Sequence, residues 1–297
     1  MRQYKRRCDV IVSDAAGAGL DLSALRIVFS IKKEDKETPN AATIRIYGVN
    51  AETVARIRKE FVDVIIQAGY EENYGLIFRG NIKDVSSGRE AGTDTFVEIA
   101  AGDGDAGYAF GTINRSLAAG ARQNDIVSAA AIAPPGFVPD LGGQRLPRGK
   151  VMYGMRRDYL RSAAQSTETT WSVQDGKMQF IPLTGLLPNQ AVVLNSKSGL
   201  VGSPEQTVEG VQGQALLNPL MRIGGRLLID EKAIQEAAAE QPDASKKNSE
   251  PVKLASDGLY RIIKVEHSGD TRGQEWYTKF TCIDVDASAP AGKKVKK

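Results

Sequence analysis

One histidine, His267, serves all 297 residues, and that scarcity constrains every catalytic reading. A multi-histidine metal site is ruled out, and a Ser-His-Asp or Cys-His unit would have to use His267. Its neighbours Ser268 and Gly269 place it on the flank of a turn, where an imidazole is ordinarily packed or solvated. Hydrolysis by carboxylates alone needs two acids brought together in space. Glu98, Asp103, Asp175 and Glu205 are candidates, and their spacing does not separate them from surface acids. Trp171 and Trp276 could stack on a sugar, although isolated aromatics in strand-like runs ordinarily belong to a core.

The run Gly102-Asp103-Gly104-Asp105-Ala106-Gly107 fits Gly-x-Gly-x-x-Gly, a pattern that seats a pyrophosphate on helix N–H groups within a βαβ unit. Its surroundings disagree. The preceding strand belongs to an antiparallel hairpin, no βαβ pattern surrounds it, and two aspartates would place like charge beside the phosphates. The run reads as a Gly-rich turn leaving a β-module. An EF-hand loop starting at Asp103 would need Glu at its twelfth position, where Asn114 stands. No Walker loop, zinc-ligand spacing or nucleophile elbow occurs. The sequence therefore predicts no catalytic residue, no cofactor and no metal site.

These residues lie in a chain of ordinary globular composition, 41% hydrophobic and 25% charged, long enough for two or three domains. A net charge of +3 is too small to imply a nucleic-acid partner. No apolar run reaches the roughly 18–20 residues of a membrane span, and residues 1–7 lack a signal-peptide apolar stretch. The expectation is no stable membrane insertion and residence in the cytoplasm, unless an assembly carries the protein out. Cys8 and Cys282 sit in strand-like runs and are expected as buried, reduced thiols.

Residues 1–101 read mostly as strands, at 8–13, 25–31, 42–47, 62–68, 76–85 and 95–101. One helix interrupts them, capped by Asn50, with Val54, Ile57 and Phe61 on one face. Such a pattern suggests a small barrel or sandwich. Residues 102–185 read as an α+β insertion: a helix at 126–133 capped by Gln123-Asn124-Asp125, a Pro/Gly-rich loop at 137–149, and a helix at 155–166. A hairpin follows, at 170–174 and 177–181, turning at Asp175-Gly176, a pair suited to a type I′ turn. Residues 186–286 return to strands at 191–194, 207–217, 220–230, 258–267 and 275–284, with a polar, alanine-rich surface excursion at 231–253. Residues 287–297 form a flexible basic tail. The fold class is mainly β with an α+β insertion.

Two hairpins near opposite ends share one design. Ile82-Lys83-Asp84-Val85-Ser86-Ser87-Gly88 with 95–99 corresponds to Ile263-Lys264-Val265-Glu266-His267-Ser268-Gly269 with 276–280. The offset is 181 residues, from Ile82 to Ile263 and from Thr95 to Trp276. It sets His267 where the first hairpin has Ser86, and it predicts two similar β-modules in one chain.

The series Asn195-Ser196-Lys197-Ser198-Gly199-Leu200-Val201-Gly202-Ser203-Pro204-Glu205, closing at Leu216-Leu217-Asn218-Pro219, resembles the central baseplate hub proteins of tailed bacteriophages, themselves similar to secretion-system spike bases. Thr170-Trp171-Ser172-Val173, Thr38-Pro39-Asn40, Ile44-Arg45-Ile46-Tyr47 and Ile77-Phe78-Arg79-Gly80 carry the same resemblance. It implies two similar small β-barrel tube modules, 1–101 and 186–286, around an intervening α+β domain, 102–185. It also implies a homotrimer whose six modules match a sixfold tail tube on one side and a threefold central spike on the other. The implied partners are the tail tube or distal tail protein, the spike, the tape measure protein, and genome DNA passing non-specifically through the lumen. The expected place is the virion tail, assembled in the host bacterial cytoplasm, with no enzymatic activity. Two other readings stand beside it: a tail-associated cell-wall hydrolase working with carboxylates, and a carbohydrate-binding adhesin using the tryptophans.

Overall fold

The computed structural model describes residues 4–90, 94–143, 145–229 and 258–284, with the backbone of Gln235–Glu236. The tail at 287–297, the first hairpin's turn at 91–93 and most of the excursion at 231–253 lie outside the described residues. The first segment runs β1 (Arg6–Ser13), β2 (Gly19–Asp21), β3 (Arg26–Glu34), β4 (Ala41–Tyr47), α1 (Ala51–Glu60), β5 (Asp63–Tyr70), β6 (Asn73–Glu90) and β7 (Asp94–Gly102). The middle holds α2 (Asp105–Phe110), β8 (Thr112–Leu117), α3 (Gln123–Ala130), β9 (Lys150–Met155), α4 (Arg156–Ser166), β10 (Thr169–Gln174) and β11 (Lys177–Pro182). The last segment holds β12 (Val192–Leu194), β13 (Leu200–Thr207), β14 (Gly210–Leu216), β15 (Arg226–Ile229), β16 (Gln235–Glu236), β17 (Leu259–Asp270) and β18 (Trp276–Asp284).

Local signals explain much of this. The Asn50 side chain accepts from the Thr53 N–H at 2.7 Å, capping α1 as its position predicts. Asp175 and Gly176 take φ of 57° and 76°, the left-handed pair that a type I′ turn requires between β10 and β11. Helix α3 starts at Gln123, earlier than expected, because the Asp125 carboxylate reaches back to the Arg122 N–H at 2.7 Å. Five strands escaped the sequence reading: β2, β8, β9, β13 and β16. The first and last are only three and two residues long, and polar residues or Gly dilute the period-2 pattern in the other three.

The first and last segments merge into one 14-stranded sheet. Its main path runs β16-β13-β14-β18-β17-β3-β4-β7-β6-β5-β1-β2, with β15 also pairing β17 and β12 pairing β15. The join is antiparallel, Lys264 opposite Glu34 through Asp270 opposite Val28. This join corrects the expectation of two closed barrels. Strand β3 already has β4 on one edge and gives its other edge to β17, so β1 and β2 have no edge of β3 left to close upon. Each half stays open among the described residues, and closure gives way to fusion.

The sequence repeat also needs a correction. Both hairpins carry a bulge at the same place: Ile82 and Asp84 flank it opposite Ala101 and Ala100, and Ile262 and Lys264 flank it opposite Cys282 and Thr281. The second strands are offset by 181 residues (101 to 282), but the first strands by 180 (82 to 262). A one-residue-longer turn in the second hairpin absorbs the difference: Glu90 pairs with Asp94, whereas the Asp270 N–H bonds Glu275. His267 therefore occupies the position of Ser87, not Ser86. Because strand side chains alternate faces, that single step moves the imidazole from the open face into the core.

Three buried clusters result. The first is built on Ile27, Ile31, Ile44, Ile46, Val97 and Ile99. The second is built on Tyr260, Ile262, Val265 and Phe280, and the third, in the middle segment, on Ile126, Met152, Leu160, Trp171 and Phe180. Cys8 belongs to the first and Cys282 to the second, both as free buried thiols. Burial pushes the Cys8 thiol up to about 12.

Candidate functional site

Two features converge where the halves meet: an open polar face on one side of the sheet, and a buried ionic junction holding the middle segment against the other. The open face follows from register. Gln214, Lys279, Glu266, Lys32 and Ala41 lie side by side across β14, β18, β17, β3 and β4. The next row on the same face is Tyr277, Ser268, Ser30, Thr43 and Ala100. Small and polar side chains thus cross the boundary between the halves without a break. Charges of both signs pair along it: Lys264 with Glu266 at 3.4 Å and with Glu34 at 3.9 Å, Arg26 with Asp270 at 2.7 Å, and Arg45 with Glu98 at 2.7 Å. Half-exposed pairs of this kind are each worth about 0–1 kcal/mol. Such a face is what the solvated side of an antiparallel sheet presents.

Behind it, residues 33–40 of β3 and the following loop grip the β10–β11 hairpin. The buried Asp103 carboxylate accepts the N–H groups of Asp175 at 2.6 Å and Gly176 at 2.9 Å, filling the turn as a bound anion would. Burial pushes the Asp103 carboxyl up to about 6, opposed by the Gly176 N–H and by Lys33. Lys33, itself buried, pairs with Asp175. Asn40 donates to the Val173 carbonyl and the Gln174 side chain, both at 2.9 Å, and accepts the Glu34 N–H at 3.0 Å. A second knot lies nearby. Arg261 on β17 pairs with Asp35 and donates to the carbonyls of Pro182 at 2.7 Å and Leu183 at 2.9 Å, while the Thr170 hydroxyl donates to Asp35 at 3.0 Å. One loop thus ties the first half, the middle segment and the last half together.

No family model and no curated protein matches the sequence. Solved structures do. A 43 kDa tail protein of prophage MuSo2 from Shewanella oneidensis superposes with a TM-score of 0.59 at 8% identity, over 94% of this chain and 98% of that one. An E. coli type VI secretion component, described as structurally similar to T4 bacteriophage tail proteins gp27 and gp5, gives 0.52 at 11% identity, over 95% and 77%. A chain of the Francisella PdpA-VgrG complex gives 0.58 at 8% identity, over 99% of this chain and 60% of its own length. This chain has the fold of phage tail proteins.

Within that tail-protein fold the residues singled out by sequence take structural posts. His267 is buried, its Nδ1 2.9 Å from the Thr278 hydroxyl, and burial with Lys33 nearby pushes it down to about 3. Trp171 and Trp276 are both buried, Trp276 edge-on to Phe29 with ring centroids 5.5 Å apart, so neither offers a stacking platform. Of the four acids, only Asp103 and Asp175 meet, and both are engaged in the junction. Glu98 pairs with Arg45 on the open face, and Glu205 is exposed on β13. The Gly-x-Gly-x-x-Gly run is the turn from β7 into α2, where Asp105 pairs with Lys83 at 3.0 Å. Sequence reasoning missed the roles of Lys33, Asn40 and Arg261, which depend on partners up to 226 positions away. The one available signal was Arg261, a charged residue among the apolar Leu259, Tyr260, Ile262 and Ile263, whereas Lys33 sits in a charged run and Asn40 in a loop.

Proposed function

We propose that this chain is a structural hub of a phage tail baseplate, acting by assembly and not by catalysis. Three copies form a ring, each contributing a first β-module (1–101) and a second (186–286), with the middle domain (102–185) outside them. Six similar modules present a near-sixfold surface to the tail tube or distal tail protein, while the threefold symmetry is kept for the central spike. The observation that carries this reading is the duplicated bulged hairpin joined through β17 and β3 into one sheet with an unbroken polar face. In the ring that face lines the lumen. Most of its charges are paired, Lys279 excepted, so it offers passing DNA few of the unpaired cations that retention would need. The tape measure protein is a further occupant of the lumen before ejection. The protein works in the virion tail after assembly in the host cytoplasm.

The test is the mass of the purified chain in solution, by light scattering, alone and mixed with tail-tube and spike proteins. Each chain weighs 32.0 kDa. A particle of three chains, formed alone or on either partner, is the expected result. Monomers that bind neither partner would overturn the reading.

A further inference from the structure

The β8–β9 ribbon takes no part in the reading above. Its inner face is fixed, with Ile113 and Met152 buried in the middle cluster. Its two edges differ. On β9, the Tyr153 N–H donates to the Tyr159 hydroxyl at 2.8 Å, and that hydroxyl donates to the Tyr153 carbonyl at 3.2 Å. These groups point away from β8, so Tyr153 and Asn114 form a non-hydrogen-bonded pair. The N–H and C=O of Asn114 must then point outward on the opposite edge, as must those of Ser116 opposite Val151. The Thr112 carbonyl, at the start of this edge, accepts from Arg156 at 2.9 Å. Beyond it, the main chain of Asn114 and Ser116 has no partner among the described residues, and Asn114, Arg115 and Ser116 are all exposed.

The surroundings of this edge are apolar and basic. Val151 and Tyr153, on the ribbon's outer face, are 71% and 77% exposed. Arg115, Arg148 and Lys150 lie on or beside the ribbon, and Arg122 and Arg145 at its end, where Gly120 and Ala121 bond the main chain of Leu146. Among the described residues none of the five forms an ion pair. The acid beside them, Asp125, is spent on the Arg122 N–H.

We propose that the free edge of β8 docks an extended acidic segment of a partner protein as a third strand. An edge alternating donors with acceptors is matched by a peptide main chain, whereas a phosphate backbone offers acceptors only. The cations select acidic side chains, and the apolar ones between them lie on the outer face beside Asn114 and Ser116, reaching toward Val151 and Tyr153 one strand further in. This inference does not rest on the hub reading, and either can fail alone.

The test uses the full chain and a fluorescent ten-residue peptide alternating Glu with Val, followed by polarisation. The Glu-Val peptide is expected to bind. Its fully N-methylated form, and a Lys-Val peptide, should bind at least about tenfold more weakly, since each loses half of the recognition. Asn114→Pro should cause the same loss at an unchanged Tm, because that N–H makes no ladder bond. Should Asn114→Pro unfold, the double variant Arg115→Glu, Arg148→Glu tests the charge half and should also lose binding. Absence of binding, equal binding of the N-methylated peptide, or tighter binding of a thymidine decanucleotide would each overturn the proposal. So would a concentration-dependent dimer abolished by Asn114→Pro, which would give the edge to a second copy of this chain.

Discussion

Asp103 holds its proton up to about pH 6, where an aspartate in the unfolded chain has long lost it. Between those values the folded state binds a proton that the unfolded state does not, so this residue adds stability as pH falls. His267 does the reverse. Its folded pKa lies near 3, against an ordinary 6.5, so the unfolded chain takes up a proton that the core refuses and stability drops on acidification. The two effects oppose each other across one pH window. Urea titrations at about pH 7 and about pH 4.5 should separate them. On that acidification Asp103→Asn should lose stability relative to the parent, by on the order of 1–3 kcal/mol, and His267→Gln should gain relative to it. Equal slopes in all three proteins would show that neither group titrates as its burial requires. Asp35 gives a simpler case at neutral pH. Asp35→Ala strands the buried Arg261 without its carboxylate, and thermal unfolding should show a loss of about 3–5 kcal/mol.

At the scale of elements, the join of β17 to β3 depends on a gap in side-chain bulk. A Cβ at Gly269 would lie 2.6 Å from the Phe29 ring and 2.7 Å from the Trp276 ring. Both rings are buried and held edge-to-face. Gly269→Ala should therefore cost about 1–3 kcal/mol by overpacking. Gly17→Ala makes a control of a different kind, since its Cβ would meet nothing within 4 Å and only its φ of 88° is unfavourable. Comparable losses in the two would mean that backbone strain, and not the ring contact, sets the cost. Both members of the repeated hairpin keep their bulge, and bulges bend and twist a strand; each half thereby curves by the same device.

Taken whole, the molecule is a sheet curved twice by related hairpins and joined at its middle, with the α+β segment tied to one side by residues 33–40. The alternation of apolar and polar residues, the Asn50 cap, the Asp175-Gly176 turn and the repeat of two hairpins were legible in the sequence, because each depends on neighbours a few positions apart. The same local reasoning treated His267, Trp171 and Trp276 chiefly as packing residues, as their burial bears out. Other features were decided only in three dimensions. The one-residue difference in turn length is invisible to a constant offset, yet it reverses which face His267 occupies. Closure of each half into a barrel looked natural from its own strands. Whether β3 spends its second edge on β1 or on β17 is a competition between hydrogen-bond partners more than 200 positions apart, and no local pattern encodes the winner. The carboxylate of Asp103 filling a distant turn, and the bare edge of β8, are of the same kind: backbone groups whose partners, or lack of them, exist only once the chain has folded.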